Sequence, residues 1–134
     1  MPQDTWDARL ARAVGENVQR FRKDQREPLS ALALSEITRT LGHPLHRSVI
    51  AKLEAGLRAS VSVGDILVLA RALNVPPLAL VAPLDLPVPV EVLPGVERTP
   101  WEALDWFEGE WNAQPGSADP LDTAAWRRST FAFD

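Results

Sequence analysis

Proline separates this 134-residue sequence into two regions and limits what each can fold into. Seven of the 12 prolines lie after residue 82, and four of these fall within residues 83–98. Proline inside a helix removes a backbone hydrogen bond and clashes with the preceding turn, so no helix can cross this run. The sequence therefore predicts a helical domain, residues 1–82, then a proline-rich linker, residues 83–98, and a tail, residues 99–134.

Apolar residues in the first region recur at helical intervals. A first helix is expected to start at Asp4 or Thr5, either of which can cap it, and to run to about Arg26, with one apolar face formed by Leu10, Val14, Val18 and Phe21. Ser30 and the capping box of Ser62 and Asp65 begin two further helices, expected to extend to Gly42 and Leu73. Short helices are expected at 47–55, before Gly56, and around 78–81. The first region is thus predicted to be a compact five-helix domain in an all-α protein.

The tail combines aromatic and acidic side chains. The run before it is expected to be an extended linker or a strand-like arm. Thr99 then caps a helix with Pro100 at its first position, and this helix is expected to carry an apolar face flanked by acidic residues. The face consists of Trp101, Leu104, Phe107 and Trp111. A break at 114–117 precedes a short last helix expected over 119–128.

Charge is distributed as unevenly as proline. Residues 1–82 contain 11 basic and 8 acidic side chains, a net charge of +3, whereas residues 83–134 contain 3 basic and 10 acidic ones, a net charge of −7. The overall charge of −4 therefore originates in the second region. Such an asymmetry favours different partners for the two regions.

Composition and motifs exclude or disfavour several classes of protein. Cysteine is absent, which excludes disulfides, cysteine-based zinc sites and thiolate chemistry. His43 and His46 flank a proline without a third ligand, a pattern more typical of a turn than of a metal site. We find no glycine-rich phosphate loop, HExxH motif or nucleophile–base arrangement, so neither an enzyme nor a bound metal or cofactor is expected. A soluble cytoplasmic protein without membrane contact is expected, because no signal sequence and no uninterrupted apolar span are visible.

Four segments of the first region together resemble a known family. They are VGENVQRFR (14–22), LSALALSEITRTLG (29–42), HRSVIAKLEAG (46–56) and SVGDILVLARALNVPP (62–77). In this order and at these separations they resemble the Cro and phage-repressor type of helix-turn-helix DNA-binding domain, the XRE-like family. The resemblance covers about half of the chain and implies a lambda-repressor-like helical fold.

The resemblance places the third helix in the major groove of DNA. Its outer face lies opposite Ile50 and Leu53, and it carries two cations that can donate to guanine and an alanine that can meet a thymine methyl group. The expected base contacts are Arg47, Ser48, Ala51 and Lys52, and the expected phosphate contacts are Ser30, Arg39, Arg58 and Ser60. The chain departs from the family pattern at Ala31, where glutamine is usual, in a longer turn before the third helix, and at His46, which replaces a Ser or Thr cap.

Two functions follow from these features. The first is a sequence-specific transcriptional regulator, a small repressor of phage, mobile-element or host type that binds operator DNA as a homodimer. One domain of this size makes a small interface, so binding normally uses two half-sites, and the aromatic face of the tail is the candidate dimer contact. The second is an antitoxin-like or adaptor protein whose tail binds another protein, with DNA binding serving autoregulation.

Overall fold

The structure is a computed structural model that describes residues 4–111, 113 and 117–130. The chain divides into two compact units, Met1–Pro83 and Leu84–Asp134. The first unit contains the helices α1 (Trp6–Lys23), α2 (Ala31–Thr40), α3 (Arg47–Glu54), α4 (Val63–Leu73) and α5 (Pro77–Val81). The second contains the strands β1 (Val90–Leu93) and β2 (Val96–Arg98) and the helices α6 (Pro100–Phe107) and α7 (Ala124–Thr130).

The expectation of an all-α, five-helix architecture is wrong. The described residues form seven helices and a two-stranded antiparallel sheet, so the chain is mostly helical but contains a β-hairpin. The hairpin occupies part of residues 83–98, the run predicted to be an extended linker or a strand-like arm. Strand β1 alternates the buried residues Val90 and Val92 with the more exposed Glu91, which is the pattern of a strand with one covered face.

Proline does not prevent this hairpin because no proline lies in the paired segments. Pro94 and Gly95 occupy the two-residue turn between the strands, and Gly95 has a φ of 74°. A type II turn requires a positive φ at its second central residue, and proline is common at the first. The register pairs Val90 with Arg98 and Leu93 with Val96, with a bulge between them. Prolines at the ends and in the turn are thus compatible with the ladder.

Hydroxyl groups cap three helices of the first unit. The side chains of Thr5, Ser30 and Ser62 each accept a hydrogen bond from a backbone N–H in the first turn of α1, α2 and α4. These caps satisfy donors that have no partner within the helix. Helix α1 ends at Lys23, earlier than the predicted end near Arg26.

One apolar core joins the five helices of the first unit. It includes both residues on the inner face of α3, Ile50 and Leu53, which are 0% and 2% exposed. The remaining members are Ala11, Val14, Val18, Leu34, Leu45, Val68, Leu69, Ala70, Leu73 and Leu80. Burying one aliphatic side chain of this size contributes about 1.5–3 kcal/mol. The inner face of α3 is therefore anchored, and its outer face is free to contact a partner.

Glycine at position 15 brings α1 and α3 into close backbone contact. A Cβ at this position would lie 1.9 Å from the carbonyl oxygen of Leu53. Only a residue without a side chain allows α3 to pack so closely against the buried side of α1. Gly15 thus sets how deeply α3 sits in the first unit.

The second unit places its tryptophans differently from the prediction. Helix α6 ends at Phe107, so Trp111 lies beyond the helix and does not continue its face. Gly109 follows with a φ of 79°, and a Cβ there would lie 2.8 Å from the ring of Trp126. The close approach of this ring and the positive φ both favour glycine, which terminates the helix.

Asp119 connects three parts of the second unit. Its carboxylate accepts hydrogen bonds from the Trp111 indole N–H (2.9 Å) and from Arg98 (3.1 Å). It also accepts from the backbone N–H of Leu121, and this bond, with those from Trp111 and Arg98, lowers the pKa of Asp119. The predicted helix over 119–128 is therefore displaced, and α7 begins at Ala124. The predicted break at 114–117 lies mostly outside the described residues.

Candidate functional site

The outer face of α3 is exposed as a unit. Arg47, Ser48, Ala51 and Lys52 are all exposed, and their spacing places them on the side of the helix opposite its buried residues. The side chains of Arg47 and Lys52 form no ion pair or hydrogen bond with any described residue. The structure thus brings the four predicted base-contact residues together on one accessible surface.

Glu54 fixes the C-terminal end of α3 to α1. Both of its carboxylate oxygens accept hydrogen bonds from the Arg22 guanidinium, at 2.9 Å from Nε and 2.7 Å from Nη2. The two side chains are only 6% and 13% exposed. Hydrogen bonding and charge attraction from Glu54 raise the pKa of Arg22 against the opposing effect of burial. Arg22 also donates to the carbonyl of Leu29 (2.9 Å), so the pair connects α1, the segment before α2, and α3.

His46 and the preceding turn determine where α3 begins. The Nδ1 atom of His46 accepts a hydrogen bond from the backbone N–H of Ser48 (3.2 Å) and lies 2.9 Å from its hydroxyl group. In the turn, the Thr38 hydroxyl accepts from the N–H of Leu45 (3.0 Å), and Ser35 donates to the Leu45 carbonyl (2.7 Å). The long turn is therefore held to α2, and the imidazole takes the capping role of a hydroxyl group.

The four predicted phosphate contacts have different surroundings. Ser30 caps α2, and Ser60 is exposed in the loop after α3. Arg39 is exposed and forms a surface ion pair with Glu36 in the same helix, which raises the pKa of Arg39. Arg58 is 29% exposed and lies 3.7 Å from a carboxylate oxygen of Asp65. Both arginines therefore have an acidic partner in the free protein.

Asp65 organises a charged cluster that connects the two chain segments flanking α3. Its Oδ1 atom lies 2.9 Å from Nε2 of His43, in the turn before α3. Its Oδ2 atom accepts from the N–H of Ser62 (3.4 Å) and faces Arg58, in the loop after α3. Burial raises the pKa of Asp65, but the hydrogen bonds from His43 and Ser62 and the charge of Arg58 outweigh it and lower the pKa overall.

Sequence reasoning identified the capping box of Asp65 but not its contact with His43. The two residues are separated by 22 positions, and no periodicity relates them. The grouping of Asp65 with His43 and Arg58 at the start of α4 is therefore visible only in three dimensions.

The second unit exposes part of the predicted aromatic face. Trp101 is 62% exposed and Phe107 is 37% exposed, whereas Trp111 is partly covered and hydrogen-bonded to Asp119. Trp101 borders a groove of about 420 Å³. The other residues around this groove are Leu84, Asp85, Leu86, Pro87, Pro89, Thr99 and Pro100. The four predicted residues therefore do not form one helical face.

Within residues 4–111, 113 and 117–130, no three His, Cys, Asp or Glu side chains are grouped so that they could bind a metal ion. No helix in the described part of the chain has both the length and the apolar character needed to cross a membrane. In comparisons with known proteins, no family model, no curated protein and no solved structure matches this chain.

Proposed function

We propose that this chain is a sequence-specific, DNA-binding transcriptional regulator, a small repressor that inserts α3 into the major groove of operator DNA. The observation that carries the proposal is the outer face of α3. There Arg47 and Lys52 are exposed and lack a partner among the described residues, while Arg22, Arg39 and Arg58 each have a carboxylate partner.

The chemistry of this face suits base edges. The major groove admits an α-helix, and arginine or lysine can donate to both O6 and N7 of guanine. Ala51 lies between the two cations on the face, where its methyl group can contact a thymine methyl. Ser48 can donate to or accept from a base once it leaves His46. The four side chains together provide contacts that differ from one base pair to the next.

Base recognition also requires that α3 keeps a fixed position relative to the residues that contact the DNA backbone. The Arg22–Glu54 pair and the close approach at Gly15 fix α3 to α1 from behind. A misplaced reading helix loses its hydrogen bonds to bases, whereas a preorganised one avoids the entropy cost of ordering. The rigid support of α3 therefore favours specific binding over general attraction to DNA.

The residues proposed to contact phosphates can be released at low cost. The ion pair of Arg39 with Glu36 is exposed, and surface pairs of this kind contribute little to stability. The first amides of α2, next to Ser30, lie at a helix N-terminus, which attracts phosphate oxygens. With Arg58 and Ser60 they provide the contacts that position the protein without reading sequence.

The regulator is proposed to bind as a homodimer in the cytoplasm. A single helix gives few base contacts, and two-fold symmetric dimers double them by reading half-sites about one helical turn apart, roughly 34 Å. The net charge of −4 does not oppose this, since screening limits surface fields to about 8–10 Å at physiological salt. The local cations of α3 therefore matter more than the total.

The test is a selection from a randomised duplex library with the full chain, followed by affinity measurements on the selected duplex and on a scrambled one. We expect an enriched, inverted-repeat sequence and a linear fall of log affinity with log salt between about 50 and 200 mM, with a slope equivalent to several phosphates. Equal affinity for selected and scrambled duplexes would overturn the proposal. The mass of the complex determines whether one or two copies bind.

A second candidate function is an adaptor or antitoxin-like protein whose second unit binds another protein, with DNA binding used for autoregulation. The exposure of Trp101 beside an apolar groove favours it, because tryptophan is enriched at the centre of protein interfaces. Capture from the cell of origin by full-length wild type and by Trp101→Ala separates the candidates. A stoichiometric protein retained by wild type and lost in the variant supports the adaptor, and no such protein counts against it.

A further inference from the structure

Asp65 holds Arg58 in a loose contact. The guanidinium of Arg58 lies 3.7 Å from the carboxylate, too far for a hydrogen bond, and remains 29% exposed. His43 lies closer to the same carboxylate, at 2.9 Å, and is 51% exposed. Of these two partners of Asp65, Arg58 is therefore the one that is less tightly held.

We propose that DNA binding transfers Arg58 from Asp65 to a backbone phosphate and is coupled to the uptake of a proton by His43. This inference rests on the proposed function, because the phosphate belongs to the bound DNA. It adds one property of the site, namely that affinity for the operator rises as the pH falls. Asp65 is then a positioning residue that stores Arg58 in the free protein.

The sign of the coupling follows from the charges around Asp65. While Arg58 is in place, a proton on His43 adds a second positive charge next to the first, and the two repel each other. When Arg58 moves to the phosphate, this repulsion ends and the carboxylate, which is only 10% exposed, lacks one of its cations. A protonated imidazole replaces that charge at 2.9 Å. The complex therefore binds more protons than the free protein, and linkage makes binding stronger at lower pH.

Other titratable groups do not produce this effect. In the described part of the chain, His43 is paired with one ionisable side chain, Asp65 of α4. Asp65 is in turn paired with Arg58, in the loop that follows α3. A proton on His46 would have the opposite effect on DNA binding, because the Nδ1 atom of His46 accepts a hydrogen bond from the Ser48 N–H. A proton on Nδ1 would remove that cap and weaken α3.

The experiment measures the affinity of the full chain for the selected duplex, at constant ionic strength, from about pH 8 to about pH 5.5, across the range in which histidine titrates. Wild type is expected to bind about three- to tenfold more tightly at the lower pH, since a displacement of one pKa unit corresponds to a tenfold change. His43→Gln keeps a donor to Asp65 but cannot titrate, and should lose most of this dependence. His46→Gln removes the other histidine together with the Nδ1 cap of α3, so we expect weaker binding at every pH, but a rise in affinity towards low pH at least as large as that of wild type.

Asp65→Asn separates positioning from folding. Asparagine keeps an acceptor for the Ser62 N–H but releases Arg58, so we expect affinity at about pH 8 equal to or above that of wild type, and little pH dependence. Weaker binding at every pH, with an unchanged melting temperature, would overturn the storage of Arg58. A pH dependence unchanged in His43→Gln would overturn the proton coupling and leave DNA binding intact. Failure of wild type to prefer any duplex at any pH would overturn both this inference and the proposed function.

Discussion

Replacing Gly15 by alanine is expected to destabilise the first unit, although alanine is the better helix former. Alanine gains about 1 kcal/mol over glycine inside a helix from propensity alone. In this structure, however, the added Cβ would lie 1.9 Å from the carbonyl oxygen of Leu53 and 2.6 Å from its carbon. Both atoms belong to the backbone of α3 and cannot turn away as a side chain can. Helices α1 and α3 must separate by about 1 Å or more to restore normal contact distances.

The balance of these terms gives the magnitude. Overpacking a well-filled core costs about 1–3 kcal/mol and occasionally more, and a clash of backbone with Cβ belongs at the upper end of that range. After subtraction of the propensity gain, the net loss is about 2 kcal/mol. For a domain of this size it corresponds to a melting temperature lower by about 10 °C. Because the displaced element is α3, affinity for the selected duplex should fall as well.

The assay is thermal and urea unfolding of the full chain, followed by far-UV circular dichroism. Gly64→Ala is the matched control, since position 64 is also helical and a Cβ there would meet only side-chain atoms at ordinary distances of 3.6–3.8 Å. It should stabilise the protein by about 0.5–1 kcal/mol. A Gly15→Ala variant as stable as wild type would refute the close packing of α1 on α3.

Three further predictions concern contacts that support α3 and α4. Glu54→Ala leaves the Arg22 guanidinium largely buried without its partner and should lower the free energy of unfolding by about 3 kcal/mol, measured by urea denaturation. The pKa of Asp65 is lower in the folded protein than the ordinary value of 3.8, so the ionised carboxylate stabilises the fold above that pH. This contribution is lost as the pH falls through the lower pKa of the folded state. In acid unfolding, Asp65→Asn should therefore show a smaller change in stability below about pH 4 than wild type. Asn74 closes α4 with a φ of 58°, so Asn74→Ala should reduce the melting temperature, corresponding to about 1 kcal/mol, whereas Asn74→Gly should not.

Helix positions could be predicted where local chemistry decides them. Ser62 and Asp65 form the expected capping box, and Thr99 forms a second one with Glu102, because both caps depend on residues three positions apart. The hairpin was not predicted as such, since its evidence is an alternation of only a few residues among prolines. The end of α6 depends on Gly109, which accommodates the ring of Trp126 from a distant part of the chain.

One part of the candidate site could likewise be predicted from the sequence, and another part could not. The common face of Arg47 and Lys52 follows from helical periodicity and is therefore visible in the sequence. Whether each cation is paired is not visible in the sequence, because it depends on which carboxylate lies nearby in space. Glu54 is 32 positions from Arg22, and Asp65 is 22 positions from His43. Only the structure distinguishes the cations paired with a carboxylate from Arg47 and Lys52, which have no such partner among the described residues.

If the outer face of α3 reads DNA sequence, single-cation variants should change the ratio of affinities for the selected and scrambled duplexes. Arg47→Ala and Lys52→Ala should each reduce this ratio by about 10-fold or more, since a good contact to a base contributes about 1–3 kcal/mol of discrimination. Arg71→Ala is the matched control, because Arg71 is an exposed cation on α4 and lies outside that face. It should leave the ratio unchanged. Equal, small losses of affinity for both duplexes in all three variants would show that the cations attract DNA without reading it, and α3 would then not be a recognition helix.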